Sequence, residues 1–167
     1  MPTFICWRVG SEPRNHAADS VDLVLGDGRL RMELAPAHGY DLIVLDAFSS
    51  VAIPIHLLTR EAIELYLSKL APGGMLAFHI SSRYFRLEPI LGATAASLRL
   101  NGLSRADIEV SPERIASGRE ASHWVILTRP GNRIGPVFGS QTWRHVQQRA
   151  GLEEWTDDFS SPLSALR

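Results

Sequence analysis

The sequence is poor in the features that most quickly define a function. It holds one cysteine, Cys6, so no internal disulfide can form, which fits a reducing, cytoplasmic setting. No apolar run approaches the roughly 20 residues of a membrane-spanning helix. Met1 to Gly10 is too short, and lacks the basic start, for a secretory signal. Net charge is −1, which removes the electrostatic case for nucleic acid or an anionic membrane. No GxSxG elbow and no GxxxxGK[ST] phosphate loop occurs. The six histidines, at 16, 38, 56, 79, 123 and 145, show no metal-ligand spacing with Cys6 or the acids, so no metal is expected. Internal repeats and low-complexity tracts are also missing.

What is present suits one domain. The chain has 167 residues, 45% hydrophobic and 21% charged, enough for a core. Its organising stretch is Val21 to Val51, VDLVLGDGRLRMELAPAHGYDLIVLDAFSSV. Two apolar runs, Val21–Leu25 and Tyr40–Leu45, each lead to an aspartate, Asp27 within Gly26-Asp27-Gly28 and Asp46 before Ala47-Phe48-Ser49-Ser50. A segment of helix length, Arg29 to about Ala35, lies between them, so the stretch reads as a βαβ unit. Strands buried on both faces of a parallel sheet are near-continuous in apolar residues, as Leu42 to Leu45 are. Ligands of open α/β sheets bind outside the carboxyl ends of the strands, where Asp27 and Asp46 are expected.

Further elements follow. Thr3 to Val9 is a candidate short strand, and Gly10 to Ser20 a loop. Thr59 is a good N-cap, with Glu61 in the first turn of a helix whose Ala62, Ile63, Tyr66, Leu67 and Leu70 share a face. Pro72-Gly73-Gly74 ends that helix before a strand at Met75–Ile80. A helix is expected over about Leu87–Leu100, closed by Asn101-Gly102, then strands at about Leu103–Val110 and at His123–Thr128. Ser111–Glu120 reads as a mobile surface loop, Pro130–Gly139 as irregular, and Gln141–Ala150 as a short helix. The tail is expected to pack Trp155 and Phe159 on the domain, with Asp157 and Asp158 between them. The order β-α-β-α-β-α-β-β-α predicts an α/β sandwich of parallel strands with a late antiparallel pair.

As a set, LGDGR, YDLIVLDAFSS, AIPIHLLTREA, a helix ending LAPGG, LAFHISSRY, SHWVILTR and WTDDFSSPLSAL resemble the polyamine aminopropyltransferases, the spermidine synthase-like family, over about Ser20 to Leu166. The resemblance implies a Rossmann-like, mostly parallel sheet of the class I S-adenosylmethionine-dependent methyltransferase type. It implies decarboxylated S-adenosylmethionine as co-substrate, or S-adenosylmethionine if the chain is a methyltransferase, with no metal, and a polyamine such as putrescine as acceptor. By the same resemblance Asp27 holds the adenine amino group of the nucleoside between Gly26 and Gly28, and Ala47 lies against the cofactor. Asp46 positions and deprotonates the attacking amine, and Ser49 and Tyr84 line the substrate pocket. Ser49 and Val51 take positions where the family carries further acids.

The family pattern opens with a strand, a glycine-rich loop and a second strand ending in an acid. No GxGxG occurs in this sequence, and Cys6, Trp7 and Arg8 stand where that acid is expected. The chain therefore reads as an N-terminally truncated version of the fold. Residues 1–20 are then a remnant, and residues 21–167 a partial domain. The strand ending in Asp46 would have a bare edge, which a homodimer or a separate N-terminal half would cover. A non-catalytic, partner-dependent remnant is the alternative to an enzyme. His56 and His79 are candidate acid–base groups, each weighed against an ordinary structural role.

Overall fold

The structure is a computed structural model, and it describes residues 3–7, 24–46, 54–82, 84–118, 120–132 and 140–166. The strands are β1 (Thr3–Trp7), β2 (Tyr40–Asp46), β3 (Leu70–His79), β4 (Asn101–Asp107), β5 (Ser122–Thr128) and β6 (Arg144–His145). The helices are α1 (Gly28–Glu33), α2 (Arg60–Lys69), α3 (Glu88–Ser97) and α4 (Pro112–Ala116), with 3-10 turns at Ile55–Leu57 and Pro162–Ala165. The described strands form one sheet in the order β1-β2-β3-β5-β4-β6.

The α/β class and the late antiparallel strand are as the sequence reading has them. β2 and β3 pair in parallel, and β5 is inserted antiparallel between β3 and β4. β2, β3 and β4 therefore run in one direction, although the pairings along the sheet are mixed.

Pleat parity builds the core. Ile43 and Leu45 of β2, Leu76 and Phe78 of β3, and Val125 and Leu127 of β5 point to one face and are fully buried. They join Ala62, Ile63 and Tyr66 of α2 and Ile90, Leu91 and Ala95 of α3 in a single hydrophobic cluster. Burying a side chain of this size contributes about 1.5–3 kcal/mol each, so this face dominates the fold. α2 starts where Thr59 caps it, its hydroxyl accepting from Ala62 N–H. The turn Pro72-Gly73 is looped out of the β2–β3 ladder, whose register jumps between Tyr40↔Leu70 and Leu42↔Met75. Gly73 takes φ +89° there, a conformation that favours glycine.

Several local readings are corrected. Val24 and Leu25 form no strand; they are 64% and 70% exposed, and residues 21–23 lie outside the described set. The edge of β2 is instead occupied by β1, antiparallel, from Thr3↔Asp46 to Trp7↔Leu42. β2 therefore has no bare edge, and its outer backbone groups find partners within the chain. Residues 111–120 contain the short helix α4, which begins with Pro112 in its first turn. The helix expected at Gln141–Ala150 is replaced by the two-residue strand β6, because Ser104 and Leu103 of β4 offer an edge to Arg144 and His145. Trp155 packs as expected, 1% exposed, whereas Phe159 is 58% exposed.

Candidate active site

Asp46 is the last residue of β2 and His79 the last of β3. The strands are parallel neighbours with Leu45 opposite Phe78, so both side chains emerge at the same carboxyl edge and on the same pleat face. His79 Nδ1 lies 2.7 Å from Asp46 Oδ1. The His79 ring stacks on Trp124 of β5, with centroids 4.7 Å apart and planes 21° apart, which holds the imidazole in place. Its other nitrogen, Nε2, lies 2.7 Å from Ser81 Oγ, and Ser81 Oγ accepts the backbone N–H of His123 at 2.8 Å. Asp46 is 47% exposed and His79 24%, so the row runs from solvent into the sheet.

A second cluster gathers where α1, α2 and the tail meet. Gly26 turns the chain with φ +137°, and a Cβ there would lie 2.8 Å from Arg31 Nε. Asp27 follows as the N-cap of α1, accepting Leu30 N–H at 3.1 Å, while its other oxygen meets His56 Nε2 at 3.1 Å. The Leu30 N–H, aided by the neighbouring His56, outweighs partial burial and holds the Asp27 carboxyl below its ordinary range. Arg29 forks onto Asp157 with contacts of 2.6 and 2.5 Å and also donates to Thr59 Oγ1 at 3.3 Å. Thr59 in turn donates to Asp157 at 2.7 Å. An open recess of about 370 Å³ lies over this cluster, lined by His56, Thr59 and Asp157 among others.

Of the residues expected at a site, the structure places Asp46 at the strand ends with His79, and Asp27 in the loop before α1 with His56. Gly26 and Gly28 flank Asp27, with Gly28 buried as the first residue of α1. Tyr84 lies in the segment after β3, 53% exposed, its N–H directed at Ser82 Oγ. Ala47 and Ser49 lie outside the described residues. The Asp46–His79 pairing, the role of Ser81 and the Arg29–Asp157 fork were not anticipated from the sequence. A histidine two residues before a serine at a strand end was the available signal for the first two. Among the described residues no group of three or more His, Cys, Asp or Glu is placed to hold a metal, and no helix is long and apolar enough to cross a membrane.

The described residues define an α/β sheet with an acid at the carboxyl end of a parallel strand. No protein-family model matches the sequence, and no curated protein sequence matches it. Among solved structures the chain is similar to a probable spermidine synthase from Corynebacterium glutamicum, with a TM-score of 0.56 at 16% identity. The likeness covers 87% of this chain and 57% of that one, so the chain spans a little over half the length of its structural neighbour. The fold is therefore spermidine synthase-like.

Proposed function

We propose that the chain carries the acceptor side of an aminopropyl-transfer site, with decarboxylated S-adenosylmethionine as donor and a primary polyamine such as putrescine as acceptor. The observation that carries the reading is the placement of Asp46: half-exposed, at the carboxyl end of β2, and held by His79 through one oxygen. A free alkylamine has a pKa of about 10.4 and is mostly protonated at neutral pH. A carboxylate there attracts the cation and accepts a proton as the amine attacks. The amine lone pair forms the new C–N bond to the methylene beside the sulfonium. The C–S bond breaks with its electrons going to sulfur, and the proton lost from nitrogen passes to Asp46. The sulfonium is already an activated leaving group, so alignment of the two reactants supplies most of the acceleration.

Asp27 fits the role of holding an adenine amino group. A carboxylate has about four acceptor positions, Asp27 uses two in the contacts above, and 36% of its side chain is exposed. The opposite grip, a GxGxG loop, does not occur in the sequence. Losing one charge-assisted hydrogen bond removes roughly 1.5–3 kcal/mol, and each 1.4 kcal/mol is about tenfold in affinity. Losing a ribose carboxylate and a backbone cradle together would turn a micromolar site millimolar.

Calorimetric titration tests this reading. Methylthioadenosine is expected to bind in the millimolar range, and the decarboxylated donor better than S-adenosylmethionine. Tighter binding of S-adenosylmethionine would favour methyl transfer on the same fold. The absence of nucleoside binding at ten millimolar would rule out a nucleoside site.

A further inference from the structure

Asp46, His79 and Ser81 form a carboxylate–imidazole–hydroxyl row that aminopropyl transfer leaves partly unused, since that reaction needs no hydroxyl. From this row we infer that Ser81 is a nucleophile, activated by His79 and Asp46, that accepts the acyl group of a small carboxylic ester.

The directions of the hydrogen bonds follow from the groups at the ends. An ionised carboxylate only accepts, so His79 Nδ1 carries its hydrogen toward Asp46 at 2.7 Å. A neutral ring then has its lone pair on Nε2, facing Ser81 Oγ at 2.7 Å. The serine hydroxyl donates to that lone pair. Both distances lie within the hydrogen-bond reach that marks a nucleophile joined to its base, with a third group orienting the base. Three features fix the row. His79 is stacked on Trp124. β3 holds His79 in register with Trp124. His123 N–H, donated to Ser81 Oγ at 2.8 Å, sets the position of the hydroxyl. Ser81 is half-buried rather than sealed in the core.

In the first step Ser81 Oγ bonds to the carbonyl carbon of the ester, and its proton passes to His79 Nε2. The imidazolium is stabilised by Asp46 at Nδ1. It returns the proton to the departing alkoxide as the ester C–O bond breaks, leaving acyl-Ser81 and an alcohol. Water then attacks the acyl carbon, giving one proton to Nε2. That proton goes back to Ser81 Oγ as the carboxylic acid is released.

The test is reaction of the purified chain with a fluorophosphonate, a reagent that phosphonylates activated serines, with the adduct located by peptide mass spectrometry. The expected result is one adduct, on Ser81, formed at least 100-fold more slowly in His79→Gln, in line with the roughly 10²- to 10⁴-fold contribution of a general base. Asp46→Asn, at a half-exposed position, should slow it at least tenfold, and this variant decides the matter if His79→Gln does not fold. p-Nitrophenyl acetate should release a burst of about one equivalent of nitrophenol, lost in Ser81→Ala. A folded wild-type chain with no adduct on Ser81 overturns the inference. So does an adduct whose rate is indifferent to both His79→Gln and Asp46→Asn. None of these readouts depends on nucleoside binding or aminopropyl transfer.

Discussion

Replacing Glu88 by glutamine should cost about 3 kcal/mol at neutral pH and flatten the acid dependence of stability. Glu88 is the first residue of α3, between Leu87 and Pro89, and it is 6% exposed. Burial alone would raise its pKa. Hydrogen bonds from His123 and Arg144, the latter at 2.6 and 2.8 Å, and from Gln147 N–H at 2.9 Å, outweigh burial. The net effect lowers the Glu88 pKa from 4.5 to about 2. At about 1.4 kcal/mol for each tenfold change in proton affinity, that difference is worth about 3 kcal/mol. Because the folded pKa is the lower one, the stabilisation is fully present above pH 4.5 and is lost as pH falls toward 2. Arg144 is 45% exposed on its side chain, so it can turn to water when its partner is removed. That keeps the cost at the lower end of the roughly 3–5 kcal/mol seen when one member of a buried pair is deleted. Denaturant unfolding of wild type and Glu88→Gln at pH 7, 5, 4 and 3 gives the answer. The gap between the two should shrink as the pH falls. A gap under about 0.5 kcal/mol at pH 7, or one that stays constant from pH 5 to 3, would refute the argument.

Two further substitutions probe how the elements are joined. Thr59→Ala removes the cap on Ala62 N–H and the hydroxyl bonded to Asp157; loss of a cap costs about 1–2 kcal/mol, and Thr59→Ser should recover most of it in the same unfolding assay. Gly92→Ala sets two effects against each other: alanine in a helix interior gains about 1 kcal/mol over glycine, but a Cβ at 92 would lie 2.4 Å from Gln147 O. Overpacking costs about 1–3 kcal/mol, so a net loss of stability is expected, and a stabilised variant would show that the segment after β6 yields freely.

The parts of the molecule legible in the sequence are those set by local patterns. Thr59 and Glu61 mark the start of α2 because capping is decided within four residues. The apolar runs ending at Leu45, near His79 and at Thr128 read as buried strands because both pleat faces are covered to some degree. Val24 and Leu25, which end a run of the same composition, form no strand. A strand needs an edge to pair with, and the edge of β2 is taken by Thr3–Trp7. Leu25 instead gives its carbonyl to Arg31 Nε at 3.0 Å. Gln141–Ala150 has helical residues, yet Val146 N–H bonds to Gly102 O, and Gln147 N–H is drawn to Glu88; tertiary contacts override the local preference. The site shows the same division. Asp27 and Asp46 stand out as acids after apolar runs, but the partner of Asp46 is 33 residues away and the partner of Arg29 is 128 residues away. Such pairs depend on strand register and on where the tail docks, which composition and spacing do not encode.

The most direct measurement of the proposed function is product formation. The chain is incubated with putrescine and decarboxylated S-adenosylmethionine at concentrations above the millimolar range expected for the nucleoside, and methylthioadenosine is quantified by chromatography. The account predicts slow, amine-dependent formation of methylthioadenosine that falls at least 100-fold in Asp46→Asn, the range lost with a general base, while Tyr84→Phe stays folded and within about tenfold of wild type. Methylthioadenosine formed equally by wild type and Asp46→Asn, or none formed by a chain that binds the nucleoside, would contradict it.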